Sequence, residues 1–124
     1  MMRPVLLVMG LLAIGCGALK MYPGPELTRD KIAVLEIRNV TVYTLDDAAV
    51  KLANRRKLQI LSGEHTMRAS HNMTGYDAIP ITYTFVAEPG HTYFFGADYE
   101  IRRTLSWRPW VRDAATGRIV GSWK

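Results

Sequence analysis

Residues 79–99 read IPITYTFVAEPGHTYFFGADY, and this stretch decides the fold class. Apolar side chains recur at every second position over 79–86 and again over 91–99. A period of two is typical of β-strands that bury one face. Glu88-Pro89-Gly90 between the two runs has the composition of a tight turn. We therefore predict two strands that bury four aromatic side chains: Tyr83, Phe85, Tyr93 and Phe95.

The same pattern extends outward in both directions. Further runs rich in apolar and β-branched residues occupy 32–37, 40–45, 57–61, 65–69, 110–113 and 118–120. Turn signals separate them, among them Asp46-Asp47, Ser62-Gly63 and the four residues 114–117. Residues 70–78 are polar and indicate a loop, whereas 48–57 fit either a strand or a helical turn. The chain is thus predicted to be all-β, an antiparallel sandwich or a small barrel-like domain.

The N-terminal segment 1–15 has the features of a secretory signal peptide. Arg3 supplies a positive charge, and an apolar run of about ten residues follows over 5–14. A helix that spans a bilayer needs about twenty apolar residues, so a stable transmembrane helix is not expected here.

Residues Ala13-Ile14-Gly15-Cys16 resemble the bacterial lipobox, with Leu12 one position further from the cysteine than the usual leucine. The resemblance implies cleavage after Gly15, a diacylglyceryl thioether on Cys16 and acylation of the freed amine. Cys16 is the only cysteine of the chain. Gly17 stands where aspartate is associated with retention in the inner membrane, which indicates the outer membrane, facing the periplasm.

Residues 16–29 are predicted to be the lipidated cysteine followed by a tether. Tyr22-Pro23-Gly24-Pro25 does not favour a helix or a central strand, because proline lacks an amide hydrogen and restricts the backbone. The β domain is accordingly expected to cover 30–124.

Three segments together resemble a family of small uncharacterised proteobacterial lipoproteins, over roughly residues 22–120. They are 61–66 (LSGEHT), 88–93 (EPGHTY), and Trp110 with 113–118 (DAATGR). The first of these turns also resembles PEGA-type β domains. Neither resemblance implies a reaction or a cofactor.

The net charge of +5 is a mild excess, and basic clusters such as 55–57 and 102–103 are too short to indicate a nucleic-acid partner. Four arginines are candidates for a partner surface that would contact an envelope protein or an anionic polymer: Arg102, Arg103, Arg108 and Arg112. Three tryptophans lie near them, Trp107, Trp110 and Trp123, and core packing is favoured for these over a stacking surface.

Catalysis and metal binding are not expected. His65, His71 and His91 lack the spacing of helical metal ligands, and His65 and His91 each follow a turn and precede a threonine. The sequence has no recognisable nucleophile motif and no glycine-rich phosphate loop. The prediction is a non-enzymatic chain without cofactor or metal.

With the resemblances above, these features predict a lipid-anchored protein of the bacterial cell envelope with a binding or structural role, its membrane contact made through acylated Cys16. Two alternatives stay open at this point. One is a periplasmic inhibitor or immunity-type protein, and the other is a carrier of a small ligand or a metal.

Overall fold

The structure, a computed structural model, describes residues 17–52 and 56–124. The signal segment and Cys16 lie outside the described residues. The strands within them are β1 (Ala18–Lys20), β2 (Ile32–Ile37), β3 (Val40–Leu45), β4 (Ala48–Ala49), β5 (Lys57–Leu61), β6 (Gly63–His71), β7 (Ile81–Ala87), β8 (Thr92–Ile101), β9 (Leu105–Asp113), β10 (Ile119–Val120) and β11 (Ser122–Trp123). A three-residue 3₁₀ turn, Arg29–Lys31, precedes β2. The prediction of an all-β domain is confirmed.

The strands form two sheets that pack face to face as a small sandwich. Sheet A has the order β1-β5-β2-β8-β9-β10, and sheet B has the order β11-β7-β6-β3-β4. Most neighbours are antiparallel, as predicted, but β1 runs parallel to β5 and β2 runs parallel to β8. Between β2 and β8 the chain forms β3 and β4 in sheet B, β5 in sheet A, and then β6 and β7 in sheet B. None of the described residues forms a helix long and apolar enough to cross a membrane.

The core lies between the sheets and contains the aromatic side chains that the alternation predicted. Tyr83, Phe85, Tyr93 and Phe95 are each 1% exposed or less. Their rings contact one another across the interface, at 5.4 Å between the centroids of Tyr83 and Phe95. Ile79 shares their period in the sequence but is 73% exposed. Strand β7 begins only at Ile81 because Pro80 has no amide hydrogen for the ladder.

The predicted start of the domain at Asp30 requires correction, because ordered pairing begins at Ala18. Strand β1 pairs with β5 along its whole length, and the Met21 amide extends the ladder by donating to the Gln59 carbonyl at 2.9 Å. Tyr22 is 7% exposed, and its hydroxyl accepts a hydrogen bond from the Leu27 amide at 3.0 Å. The prolines and Gly24 bend this segment onto sheet A, so residues 17–29 do not form a free tether.

The ambiguous stretch 48–57 contains no helix in its described part. Ala48–Ala49 pairs with the end of β3, and Lys57 begins β5. Strand β6 extends to His71, past the loop predicted from Ser70, because Val40 of β3 pairs with His71. The predicted hairpin around 114–117 is confirmed by the antiparallel pairing of β9 with β10.

Candidate functional site

The four candidate arginines fall at two separate places in sheet A. Arg102 and Arg103 lie in the turn between β8 and β9, whereas Arg108 and Arg112 are on β9 itself. Residues 109, 111 and 113 are buried on the core side of this strand, so alternation places Arg108 and Arg112 on its outer face. Arg102 is paired with Glu100, with 2.7 Å between Nε and Oε1. A single four-arginine patch is therefore not formed.

An aromatic–arginine face covers the outer side of sheet A; it consists of Arg38, Phe94, Trp110 and Arg112. The guanidinium carbon of Arg112 lies 4.8 Å from the centroid of the Trp110 ring, and that of Arg38 lies 4.2 Å from the Phe94 ring. Arg112 and Phe94 are also directly opposite each other in the β8–β9 ladder. Stacked guanidinium groups keep their positive charge near the aromatic surface, which suits an anionic partner.

The Trp110 ring lies across Gly96, the residue opposite it on β8. A Cβ atom at position 96 would come within 2.7 Å of Cη2 of this ring, so only glycine leaves room for it. The indole nitrogen donates to Oδ1 of Asp98 at 3.2 Å, which fixes the orientation of the ring. Arg38 and Phe94 were not among the residues predicted from the sequence, because the β2–β8 pairing that brings them to this face joins distant segments of the chain.

The three tryptophans are not brought together. Trp107 is half-buried against the core and meets His71 edge-on, with 5.8 Å between ring centroids. Trp110 lies on the outer face of sheet A, and Trp123 on edge strand β11 of sheet B is 45% exposed. Core packing, favoured for all three, thus holds for Trp107 and not for the other two.

His91 holds the turn between β7 and β8 to the end of β9. Its Nδ1 lies 2.8 Å from Oδ2 of Asp113, its Nε2 lies 3.3 Å from Oε2 of Glu88, and its ring stacks on Tyr93. The hydrogen bond from His91 is the main reason that the pKa of the Asp113 carboxyl lies below its ordinary value. Backbone amides of Ala115 and Thr116 lower this pKa further, and burial opposes them.

We expect this contact to make stability depend on acid pH. A depressed carboxyl pKa contributes stability above the ordinary aspartate value of 3.8, and that contribution is lost as the pH falls through the pKa of the folded state. Asp113→Asn should therefore lower the free energy of unfolding by about 1 kcal/mol at neutral pH, since His91 is partly exposed. Denaturant titrations at a series of pH values should show this difference shrinking as the pH approaches the aspartate range.

Asp77→Asn serves as the matched control for this measurement. Asp77 is an exposed loop residue whose carboxylate has no hydrogen-bond partner among the described residues. Its replacement should leave stability unchanged at every pH. If Asp113→Asn behaves in the same way, the His91–Asp113 contact does not stabilise the fold.

The other two histidines also use both ring nitrogens. His65 approaches Oδ2 of Asp46 at 2.5 Å through Nδ1 and the Leu61 carbonyl at 2.6 Å through Nε2. His71 donates from Nε2 to the Asp77 carbonyl at 2.8 Å and accepts from the Met73 amide at Nδ1. Each ring thus joins a strand to a neighbouring turn or loop, and neither offers a free nitrogen to a substrate.

Over residues 17–52 and 56–124, no group of three or more His, Cys, Asp or Glu side chains is arranged to hold a metal ion. Comparisons with known protein families, with curated proteins and with solved structures found no match. The assignment of a function therefore rests on the sequence features and on the geometry given above.

Proposed function

We propose that this chain is a lipoprotein of the bacterial cell envelope, anchored through acylated Cys16, whose β-sandwich acts by binding and not by catalysis. The observation that carries the proposal is the Ala-Ile-Gly-Cys sequence directly behind an apolar run of signal-peptide length. Two or three acyl chains, at about 0.8 kcal/mol per buried methylene, would hold the protein permanently at a membrane.

The described geometry supports a domain that starts immediately after the anchor. Ala18, two residues after Cys16, is already paired with Lys57 of β5. A cleavage after Gly15 would thus leave intact every strand that the described residues form, because these strands lie between Ala18 and Trp123. The mature chain 16–124 therefore contains both of these sheets and the buried side chains between them.

The hydrogen bonds of the histidines and the outward position of two arginines support a binding role. All three histidines are engaged at turns or loops, and the carboxylates nearest to His65 and His91 accept their hydrogen bonds. The aromatic–arginine face, by contrast, presents stacked guanidinium groups on the outer side of a sheet. Its chemistry fits the expected partners, an acidic envelope protein or an anionic polymer.

Cys16→Ala should abolish lipid attachment, because the thiol is the only group that can form the thioether. We expect the native protein in the membrane fraction, with mass spectrometry showing an N-terminal Cys16 that carries diacylglycerol. The Cys16→Ala chain should lack this lipid and remain uncleaved at Gly15. Gly17→Asp is the matched control, because it should keep the lipid and move the protein from the outer to the inner membrane.

Two results would contradict the proposal. One is a native protein that retains Met1 and carries no lipid. The other is a Cys16→Ala protein that is processed at Gly15 exactly as the native chain is.

A further inference from the structure

The register of sheet A places one end of the sandwich at Gly17, the residue that follows Cys16 in the sequence. Strand β1 begins beside the start of β5, since Ala18 pairs with Lys57, and the start of β5 lies beside the end of β2. Strand β8 runs parallel to β2 and continues beyond it to Ile101. We call this the Gly17 end; it comprises the start of β1, the 38–39 turn, the loop 72–80 and the β8–β9 hairpin.

Chain length limits how far this end can lie from an anchor on Cys16. Two residues span at most about 7 Å, so Cys16 lies within that distance of Ala18. The β8–β9 hairpin extends in the same direction from which the chain enters β1. Its tip at Ile101 lies seven residues, or roughly 20 Å, beyond Phe94 along β8. A bilayer that holds Cys16 therefore meets the hairpin tip as well, with the sandwich tilted so that both reach the surface.

Charge is distributed unequally between the two ends. Among the side chains of the Gly17 end, cations exceed carboxylates: the cations are Arg38, Arg56, Lys57, Arg102, Arg103, Arg108 and Lys124, and the carboxylates are Glu36, Asp77, Asp98 and Glu100. The opposite end has more carboxylates than cations. The carboxylates are Asp30, Asp46, Asp47, Glu64, Glu88 and Asp113, and the cations are Arg29, Lys31 and Arg118. Within the described part of the chain, Arg56, Lys57 and Arg103 form no ion pair.

Exposed apolar side chains accompany the positive charge. Ile79 in the loop 72–80 is 73% exposed, and Ile101 at the hairpin tip is 49% exposed. Tyr76 of the same loop is 38% exposed. The loop and the hairpin are joined by the hydroxyl of Tyr99, which reaches Oδ1 of Asn72 at 3.4 Å. Apolar tips between basic side chains are the composition of a surface that enters the headgroup region of a membrane.

We propose that the Gly17 end docks directly on an anionic bilayer surface, with Arg102 and Arg103 at lipid phosphates and Ile79 and Ile101 among the headgroups. This inference rests on the proposed function, since acylated Cys16 is what brings this end to the membrane. Docking would fix the orientation of the domain, leaving the acidic end and the Trp110–Arg112 pair of the aromatic–arginine face turned away from the lipid toward partners.

The test uses mature chain 16–124 carrying Cys16→Ser, so that any binding comes from the protein surface and not from acyl chains. We expect it to co-sediment at low salt with vesicles of phosphatidylglycerol and phosphatidylethanolamine, and to remain in solution with phosphatidylcholine vesicles. Added salt should release it. Replacing both Arg102→Gln and Arg103→Gln should weaken the partition coefficient about tenfold, because each basic residue near such a surface favours binding.

The matched control is Lys31→Gln with Arg118→Gln, which removes the same charge from the opposite end and should leave binding within twofold of the parent. Ile79→Ser with Ile101→Ser should also weaken partition, whereas Ile119→Ser, on edge strand β10, should not. Circular dichroism and thermal unfolding check that each variant is folded.

Three results would overturn the docking proposal: no binding by the parent chain at low salt, equal binding to phosphatidylcholine, or equal losses from the two charge pairs. None of these bears on acylation, because the Cys16→Ala experiment measures the anchor independently. If the native protein is lipidated but its mature domain does not bind anionic vesicles, the docking proposal is wrong and the anchor proposal is unaffected.

Discussion

Gly121→Ala is expected to destabilise the domain by about 3 kcal/mol or more, because it combines backbone strain with steric overlap. Gly121 is the one residue between β10 in sheet A and β11 in sheet B, and its φ is +78°. A Cβ here would overlap the Thr84 carbonyl oxygen and lie 2.6 Å from Cβ of Phe85. Both obstacles belong to central strand β7 and its core side chain, so neither can move aside cheaply.

Gly117→Ala separates backbone strain from steric overlap in this experiment. Gly117 has nearly the same φ, +73°, but a Cβ there would meet nothing within 4 Å. It should therefore cost only about 1 kcal/mol, the penalty of the left-handed conformation. Chemical denaturation of both variants measures the difference. Equal losses would mean that the close approach of β7 to Gly121 does not constrain the fold.

Tyr83→Phe is expected to lower the free energy of unfolding by about 2–4 kcal/mol while keeping the aromatic ring. At the point where the chain passes from β10 in sheet A to β11 in sheet B, the Tyr83 hydroxyl supplies hydrogen bonds that strand pairing would otherwise provide. It donates to the Val120 carbonyl at 2.7 Å and accepts from the Val111 amide at 3.0 Å. Burial accordingly raises the pKa of this phenol. Phenylalanine would leave a buried amide and a carbonyl without partners.

Tyr76→Phe is the control, because Tyr76 is 38% exposed and its hydroxyl has no partner among the described residues. Its effect should lie within about 0.5 kcal/mol. Ultraviolet titration offers a second readout, since burial raises the pKa of the Tyr83 phenol above its ordinary value of 10.0 and Tyr83→Phe should remove that late ionisation. A Tyr83→Phe domain as stable as the parent would contradict the bridging role of the hydroxyl.

The alternation of residues 79–99 was sufficient to predict the strands and their buried faces. Side chains on a strand point to opposite sides in turn, so the sequence alone identifies Tyr83, Phe85, Tyr93 and Phe95 as one buried set. The hairpin around 114–117 was also predictable, because its turn and both strands are contiguous. The candidate lipidation of Cys16 likewise depends only on neighbouring residues, and it stays a prediction.

Features that join distant segments needed the tertiary structure. The parallel pairing of β2 with β8, which puts Arg38 beside Phe94, leaves no local signal, since strands β3 to β7 lie between the two in the sequence. The same holds for β1, whose short run of residues has no alternating pattern and becomes a strand only because β5 offers an open edge. The prediction that residues 17–29 form a free tether was therefore wrong.

The fold class, the buried aromatic set and the candidate anchor could be predicted without coordinates, because each follows from contiguous residues and their period. The positions of the charges relative to that anchor depend on how the strands pair. Arg102 and Arg103 read as one cluster with Arg108 and Arg112 in the sequence, yet the hairpin carries the first two to its tip and the strand presents the others on its face. Strand register, set by packing between sheets, decides such placement, and no short stretch of sequence contains it.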